Sequence, residues 1–158
     1  ARLAAGYRAD LFVSVHFNAA GNLEATGVET YALTEPGCAS TADYSAEKRD
    51  TQAYPGNAQP GGNTVLAWTI HHHLQRISRA EDRGLRRARF AVLRDAPCPA
   101  ALVECGFLSN PGEEARILLP HYRQGIADGI AAGIRDYIRQ VQLARAGEEA
   151  PGGSSSTP

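Results

Sequence analysis

Asp10-Leu11-Phe12-Val13-Ser14-Val15-His16 is the stretch on which the fold turns. It is a short, nearly continuous apolar run that ends on an ionisable residue, the pattern of a strand buried on both faces. A polar loop rich in Gly and Asn follows, and then a second β-branched and aromatic run, Gly27-Val28-Glu29-Thr30-Tyr31-Ala32-Leu33. The two are joined by about ten residues without helical periodicity, whereas a parallel crossover needs a dozen or more. The pair is therefore antiparallel or not adjacent.

Outward from this pair, residues Thr34 to Asn63 carry Pro36, Gly37, Pro55, Gly56, Pro60, Gly61 and Gly62, the composition of a long irregular loop. Helical spacing resumes with Leu66, Ile70, Leu74 and Ile77 on one stripe. Two further apolar runs, Phe90-Ala91-Val92-Leu93 and Ala100-Ala101-Leu102-Val103-Glu104, are read as strands. Only Asp95 to Pro99 divides them, too little for a crossover helix, so the sheet is mixed. Asn110-Pro111-Gly112-Glu113 opens a helix with a cap, a proline at the first helical position and a glutamate three residues on. A final helix is expected from Pro120 to Gln142, with Ile126, Ile130, Ile134 and Ile138 as its apolar stripe. Gly125, Gly129 and Gly133 beside that stripe suggest close approach to the sheet, since each weakens the helix by up to about 1 kcal/mol.

The fold class expected is α/β, a three-layer domain with a mixed β-sheet flanked by helices. One domain should occupy residues 1–142, and the Gly, Ser, Pro and Glu of residues 143–158 read as a disordered tail or linker. Ala1-Arg2-Leu3-Ala4-Ala5 reads as the interior of a helix, so the domain is expected to be truncated and its sheet incomplete at the amino-terminal side.

Composition narrows the function. The 158 residues are 43% hydrophobic and 21% charged, ordinary for a globular domain with a real core. A net charge of -1 gives no electrostatic hold on nucleic acid or an anionic membrane. No apolar run approaches the ~20 residues of a spanning helix, so no membrane insertion is expected. Cys38, Cys98 and Cys105 are odd in number and lack CxxC spacing, which disfavours a disulfide framework or a cysteine zinc site.

Two polar residues then stand out, because each ends a buried run. His16 closes one and Glu104 another, and ligands in open α/β sheets sit at the carboxyl ends of strands. A metal ion would partner the imidazole, and the carboxylate could act as a general base toward a water. The blander reading is a hydrogen-bonded rim histidine and a glutamate paired with arginine. His71-His72-His73 lies within a helical pattern, where consecutive side chains diverge by about 100° and cannot converge on one ion. That run reads as a solvated helix face. Cys105 should point away from Glu104 by strand alternation, and no histidine-paired serine or cysteine is visible.

The segment Ala9 to Ala19 resembles the histidine-bearing motif of the zinc-dependent N-acetylmuramoyl-L-alanine amidases, and Pro99 to Asn110 resembles that family's catalytic-glutamate motif. Gly27-Val28-Glu29-Thr30-Tyr31, Asp82-Arg83-Gly84 and Phe90-Ala91-Val92-Leu93-Arg94 fall between them in the family's order. The resemblance implies that His16 is a zinc ligand and Glu104 the catalytic carboxylate. It implies hydrolysis of the bond between N-acetylmuramic acid and L-alanine in peptidoglycan by a zinc-activated water. Arg83 is a candidate for binding substrate carboxylates, and Asn18 for orienting substrate or capping the loop after His16. The family's other two ligands fall upstream of Ala1, so this stretch alone is expected to be inactive and to bind zinc poorly. The implied location is extracytoplasmic, periplasmic or secreted, with regulatory or wall-binding domains outside this chain. The rival expectation is a non-catalytic cell-wall-binding relative that lacks the full zinc site.

Overall fold

A computed structural model describes residues 2–41 and 51–149. After a short helix α1 (Arg2–Gly6), four strands follow: β1 (Phe12–Asn18), β2 (Val28–Leu33), β3 (Asp82–Ala88) and β4 (Ala100–Phe107). They form one sheet in the order β1-β4-β2-β3. β1 runs parallel to β4 and β2 parallel to β3, while β2 and β4 are antiparallel. The sheet is mixed, and β1 and β2 are not neighbours, one of the two arrangements their short connection allows.

Strand alternation sorts the side chains onto two faces. Val28 and Ala32 of β2 and Ala101, Val103 and Cys105 of β4 meet Leu66, Ala67, Ile70 and Leu74 of helix α2 (Pro60–Ser78). Helix α5 (Pro120–Glu149) packs on the same side through Ile126, Ile130 and Tyr137. Leu66, Ile70 and Leu74 are wholly buried, and each contributes about 1.5–3 kcal/mol relative to exposure. The opposite face holds a smaller cluster, in which Tyr31, Leu33, Ala100 and Leu102 pack with Leu93 and Ala96. Helix α3 (Ala91–Arg94), to which Leu93 belongs, and a 3₁₀ turn (Pro55–Ala58) cover that cluster at one end. The rest of this second face, toward the carboxyl ends of β1 and β4, is where the polar residues gather.

Several expectations are corrected. Phe90 to Leu93 is not a strand: Ala91–Arg94 is helical, and the strand is β3, whose sequence Asp-Arg-Gly-Leu-Arg-Arg-Ala carries no apolar run. An edge strand pairing only with β2 needs few buried positions, so the apolar signal is weak there. The three glycines of α5 approach α2 rather than the sheet. A Cβ on Gly133 would lie 2.4 Å from Ile70 Cα, and one on Gly129 would lie 3.2 Å from Leu74 Cα. Helix α5 also continues past Gln142 to Glu149, because Leu143, Ala144, Arg145, Ala146 and Glu148 are good helix formers. Part of the Thr34–Asn63 loop, residues 42–50, and the tail 150–158 lie outside the described residues. Within that expected loop, α2 already begins at Pro60.

Helix α4 (Pro111–Ile117) starts as its sequence requires, with the Asn110 Oδ1 accepting from the Gly112 and Glu113 amides. Glu113, however, does not return to the cap. Its buried carboxylate accepts from the Gly27 amide at 3.0 Å and from the Phe107 amide at 2.7 Å. It therefore ties the start of β2 to the end of β4 at the rim where the candidate site lies.

Candidate active site

β1 and β4 run in the same direction, so their carboxyl ends share one rim. Val15 pairs with Val103 and His16 with Glu104. On the other side of β4, Glu104 also pairs with Glu29 of β2. Directly paired residues on neighbouring strands project from the same face, with backbones about 4.8 Å apart. An imidazole and two carboxylates thus form a row across three strands. His16 and Glu104, 88 positions apart in sequence by subtraction, are brought side by side.

The two carboxylates have opposite surroundings. Glu29 is 2% exposed and fully engaged. Its Oε1 accepts from the Asn18 amide at 3.0 Å and from the Tyr31 hydroxyl at 2.8 Å. Its Oε2 accepts from Arg83 Nε at 3.0 Å and pairs with Arg86 at 3.4 Å. Burying a charge demands such partners. Glu104 has no comparable set: its Oε2 is buried without a hydrogen-bond partner. Desolvation, followed by repulsion from Glu29, pushes the Glu104 carboxyl up to about 7. A carboxyl that binds and releases a proton near neutrality is suited to general acid–base work.

His16 is exposed at the strand end, where its Nε2 lies 2.8 Å from the Ser14 hydroxyl. Asn18, besides binding Glu29, accepts the Ala19 amide on its Oδ1 and so shapes the loop after His16. The Ser109 hydroxyl accepts from the Ala20 amide and holds the same loop against the end of β4. Arg83 reaches the row from the far edge strand, with its guanidinium over the Phe107 ring at 4.9 Å from the centroid. All four expected site residues therefore belong to one side of the sheet. Cys105 faces the helices instead, and burial pushes its thiol up to about 12, which removes it as a nucleophile.

Sequence reasoning passed over Glu29, Tyr31 and Arg86 as site residues. The available signal was a glutamate in the middle of a strand buried at every position, where a charge survives only with dedicated partners. It also misread His71. Instead of lying on a solvated face, His71 is 8% exposed and bridges the Thr30 hydroxyl and the Asp82 carboxylate. Among the described residues, no three His, Cys, Asp or Glu side chains converge so as to hold a metal ion. No described helix is long and apolar enough to cross a membrane.

Comparison with known proteins bears on the family and the fold. Residues 1–136 match the family model described as N-acetylmuramoyl-L-alanine amidase. The chain is 30% identical over 161 aligned positions to the N-acetylmuramoyl-L-alanine amidase AmiC of Escherichia coli, covering 89% of this chain and 39% of that protein. To AmiC of Neisseria meningitidis it is 31% identical, covering 87% of this chain and 38% of the relative. It thus spans about two fifths of the length of these relatives. An N-acetylmuramoyl-L-alanine amidase from Clostridium difficile superposes with a TM-score of 0.69 at 32% identity, over 88% of this chain and 63% of that one. The catalytic domain of CwlV from Bacillus (Paenibacillus) polymyxa gives 0.68 at 28% identity, over 87% and 63%. The mixed sheet with its helices is the α/β fold of these catalytic domains, and this chain belongs to the N-acetylmuramoyl-L-alanine amidase family.

Proposed function

We propose that this chain carries the reaction rim of a zinc-dependent peptidoglycan hydrolase that cleaves the amide between N-acetylmuramic acid and L-alanine of the stem peptide. The observation that supports this most is the pairing of His16 with a Glu104 whose inner oxygen has no protein partner. Zinc fits that donor chemistry in part. His16 would hold it, with the Ser14 hydroxyl fixing the ring, and the unpartnered Glu104 oxygen stands beside. A catalytic zinc takes three protein ligands, and among the described residues no three donors converge on one ion. When bound, zinc supplies Lewis acidity toward water and the scissile carbonyl.

The chain's own residues do the rest. Glu104 takes a proton from the attacking water as the new C–O bond forms. It returns a proton to the nitrogen as the C–N bond breaks and L-alanine leaves with a free amine. Desolvation, followed by the Glu29 charge across the row, keeps Glu104 proton-hungry enough for both roles. Arg83, anchored on Glu29, offers its positive charge to carboxylates of the stem peptide. Asn18 orients substrate at the mouth of the β1 loop. Such a substrate places the protein outside the cytoplasmic membrane.

The test is digestion of purified muropeptides by the polypeptide bearing this chain, with zinc added, and identification of the cleaved bond by mass. Release of stem peptides with a free L-alanine amine, lost in a folded Glu104→Ala variant, is the expected result. Binding to cell walls without any cleavage would replace the enzyme with a non-catalytic wall-binding relative.

A further inference from the structure

We propose that His71, remote from the reaction rim, is a positioning residue: through Asp82 it holds the β3 bulge that aims Arg83 at Glu29. The proposal deepens the reading of Arg83 as a substrate-binding residue and rests on it, but its primary test reads the position of Arg83 itself.

The argument starts from register. Val28 pairs with Asp82 and Thr30 with Leu85, so two steps along β2 face three along β3. The extra residue lies in Arg83-Gly84, and Gly84 has a φ of 84°, the left-handed conformation that glycine adopts without strain. This bulge has a definite consequence for the faces. In an unbroken strand, residues three apart fall on opposite faces. Here Arg83 and Arg86 both reach Glu29, at 3.0 and 3.4 Å, while Asp82 and Leu85 both face the helices. Glu29 receives two arginines from one strand only because the bulge is there.

Asp82 clamps that bulge. Its Oδ1 accepts from the Gly84 amide at 2.8 Å, spanning Arg83, and stands 2.8 Å from His71 Nε2. His71 projects from α2, and its Nδ1 lies 3.1 Å from the Thr30 hydroxyl on β2. The hydrogen bond from His71 holds the Asp82 carboxyl below its usual range. Thr30, His71 and Asp82 have the residue types of a nucleophile–base–acid triad. Thr30 is wholly buried, however, so no substrate meets its hydroxyl and the network works as a support. The helix thus fixes the conformation of the strand segment that carries Arg83.

The experiment is water exchange at the arginine Nε–H groups of the ¹⁵N-labelled, zinc-free chain by NMR, with the Arg83 signal assigned by its loss in Arg83→Lys. In the unmodified chain this proton should exchange more slowly than that of the exposed Arg76. His71→Leu and Asp82→Ala should each speed Arg83 exchange about tenfold, the equivalent of one lost hydrogen bond. His71→Gln, whose amide can donate to Asp82 in place of Nε2, should restore most of the protection. Unchanged protection in Asp82→Ala, or no rescue by glutamine, would overturn the proposal. Should His71→Leu fail to fold, Asp82→Ala against Asp82→Asn at the half-exposed partner decides the matter. In the zinc-loaded polypeptide, Asp82→Ala should raise KM for muropeptides with kcat nearly unchanged. That effect should vanish in an Arg83→Lys background, since residues acting through one another are not additive. A protein that cleaves nothing but keeps this exchange pattern sinks the amidase reading and leaves the positioning role intact.

Discussion

Replacing Glu104 by glutamine should stabilise the protein, and only at high pH. The carboxyl is raised from 4.5 to about 7, first by desolvation and then by the Glu29 charge. Each tenfold change in proton affinity is worth about 1.36 kcal/mol, which puts the full effect on the order of 3 kcal/mol. Water reaching the partly exposed side chain reduces the expected figure to about 1–2 kcal/mol. Because the folded state holds this proton more tightly than the unfolded one, the stability it contributes is fully present below about 4.5. It is lost as pH rises through about 7. Glutamine keeps the shape and cannot ionise. Urea denaturation of both proteins at pH 4 and pH 8.5 with a chelator is the assay, since a cation beside the carboxylate would hold it ionised. The two should be nearly equal at pH 4, and Glu104→Gln more stable at pH 8.5 by about 1–2 kcal/mol, roughly 3–6 °C in Tm. A difference that is flat with pH, or a variant less stable at pH 8.5, would refute the reasoning that this carboxylate is desolvated with its Oε2 unpartnered.

Three other outcomes follow from packing and ligand count. Gly133→Ala should destabilise the domain by about 1–3 kcal/mol, because the added carbon meets the Ile70 backbone. Gly147→Ala in the same helix, with open space around it, should be neutral or stabilising by up to about 1 kcal/mol in thermal melts. Glu113→Ala should cost about 3 kcal/mol by chemical denaturation, since it strands the Gly27 and Phe107 amides at the rim. Isothermal titration of these 158 residues with zinc should show no tight stoichiometric site, because His16 stands without two further converging ligands among the described residues.

How much was legible varies from residue to residue for physical reasons. Ala100 to Glu104 declares itself because a strand buried on both faces must be apolar until it reaches the rim, where a polar residue becomes conspicuous. Phe12 to His16 carries the same apolar pattern, but the expectation of burial on both faces is corrected: β1 is an edge strand, none of its residues is fully buried, and Val15 is 50% exposed. The stripe Leu66, Ile70, Leu74 is equally plain, since one helix face must meet the sheet. β3 was invisible: at the edge of the sheet, Arg83 and Arg86 on one face, Arg87 toward α2 on the other and a bulge at Gly84 satisfy the strand without an apolar pattern. The glycines of α5 announced a close approach, but which element they approach is a matter of how two helices share one face of the sheet. His71 looked like one member of a solvated run. Rotation of α2 buries the first histidine of the three against Thr30 and Asp82, and the other two take different surroundings.

The amino-acid sequence by itself thus determined that β4 is buried, that α2 and α5 carry apolar stripes, and which imidazole and carboxylate end at a rim, because local periodicity carries that information. Only the tertiary structure decided that Glu29 stands in line with Glu104, that Arg83 and Arg86 converge on it, and that His71 supports them from behind the sheet. Those relations depend on strand order, register and a single bulged residue. A shift of one position in any of them would turn the same side chains to the other face.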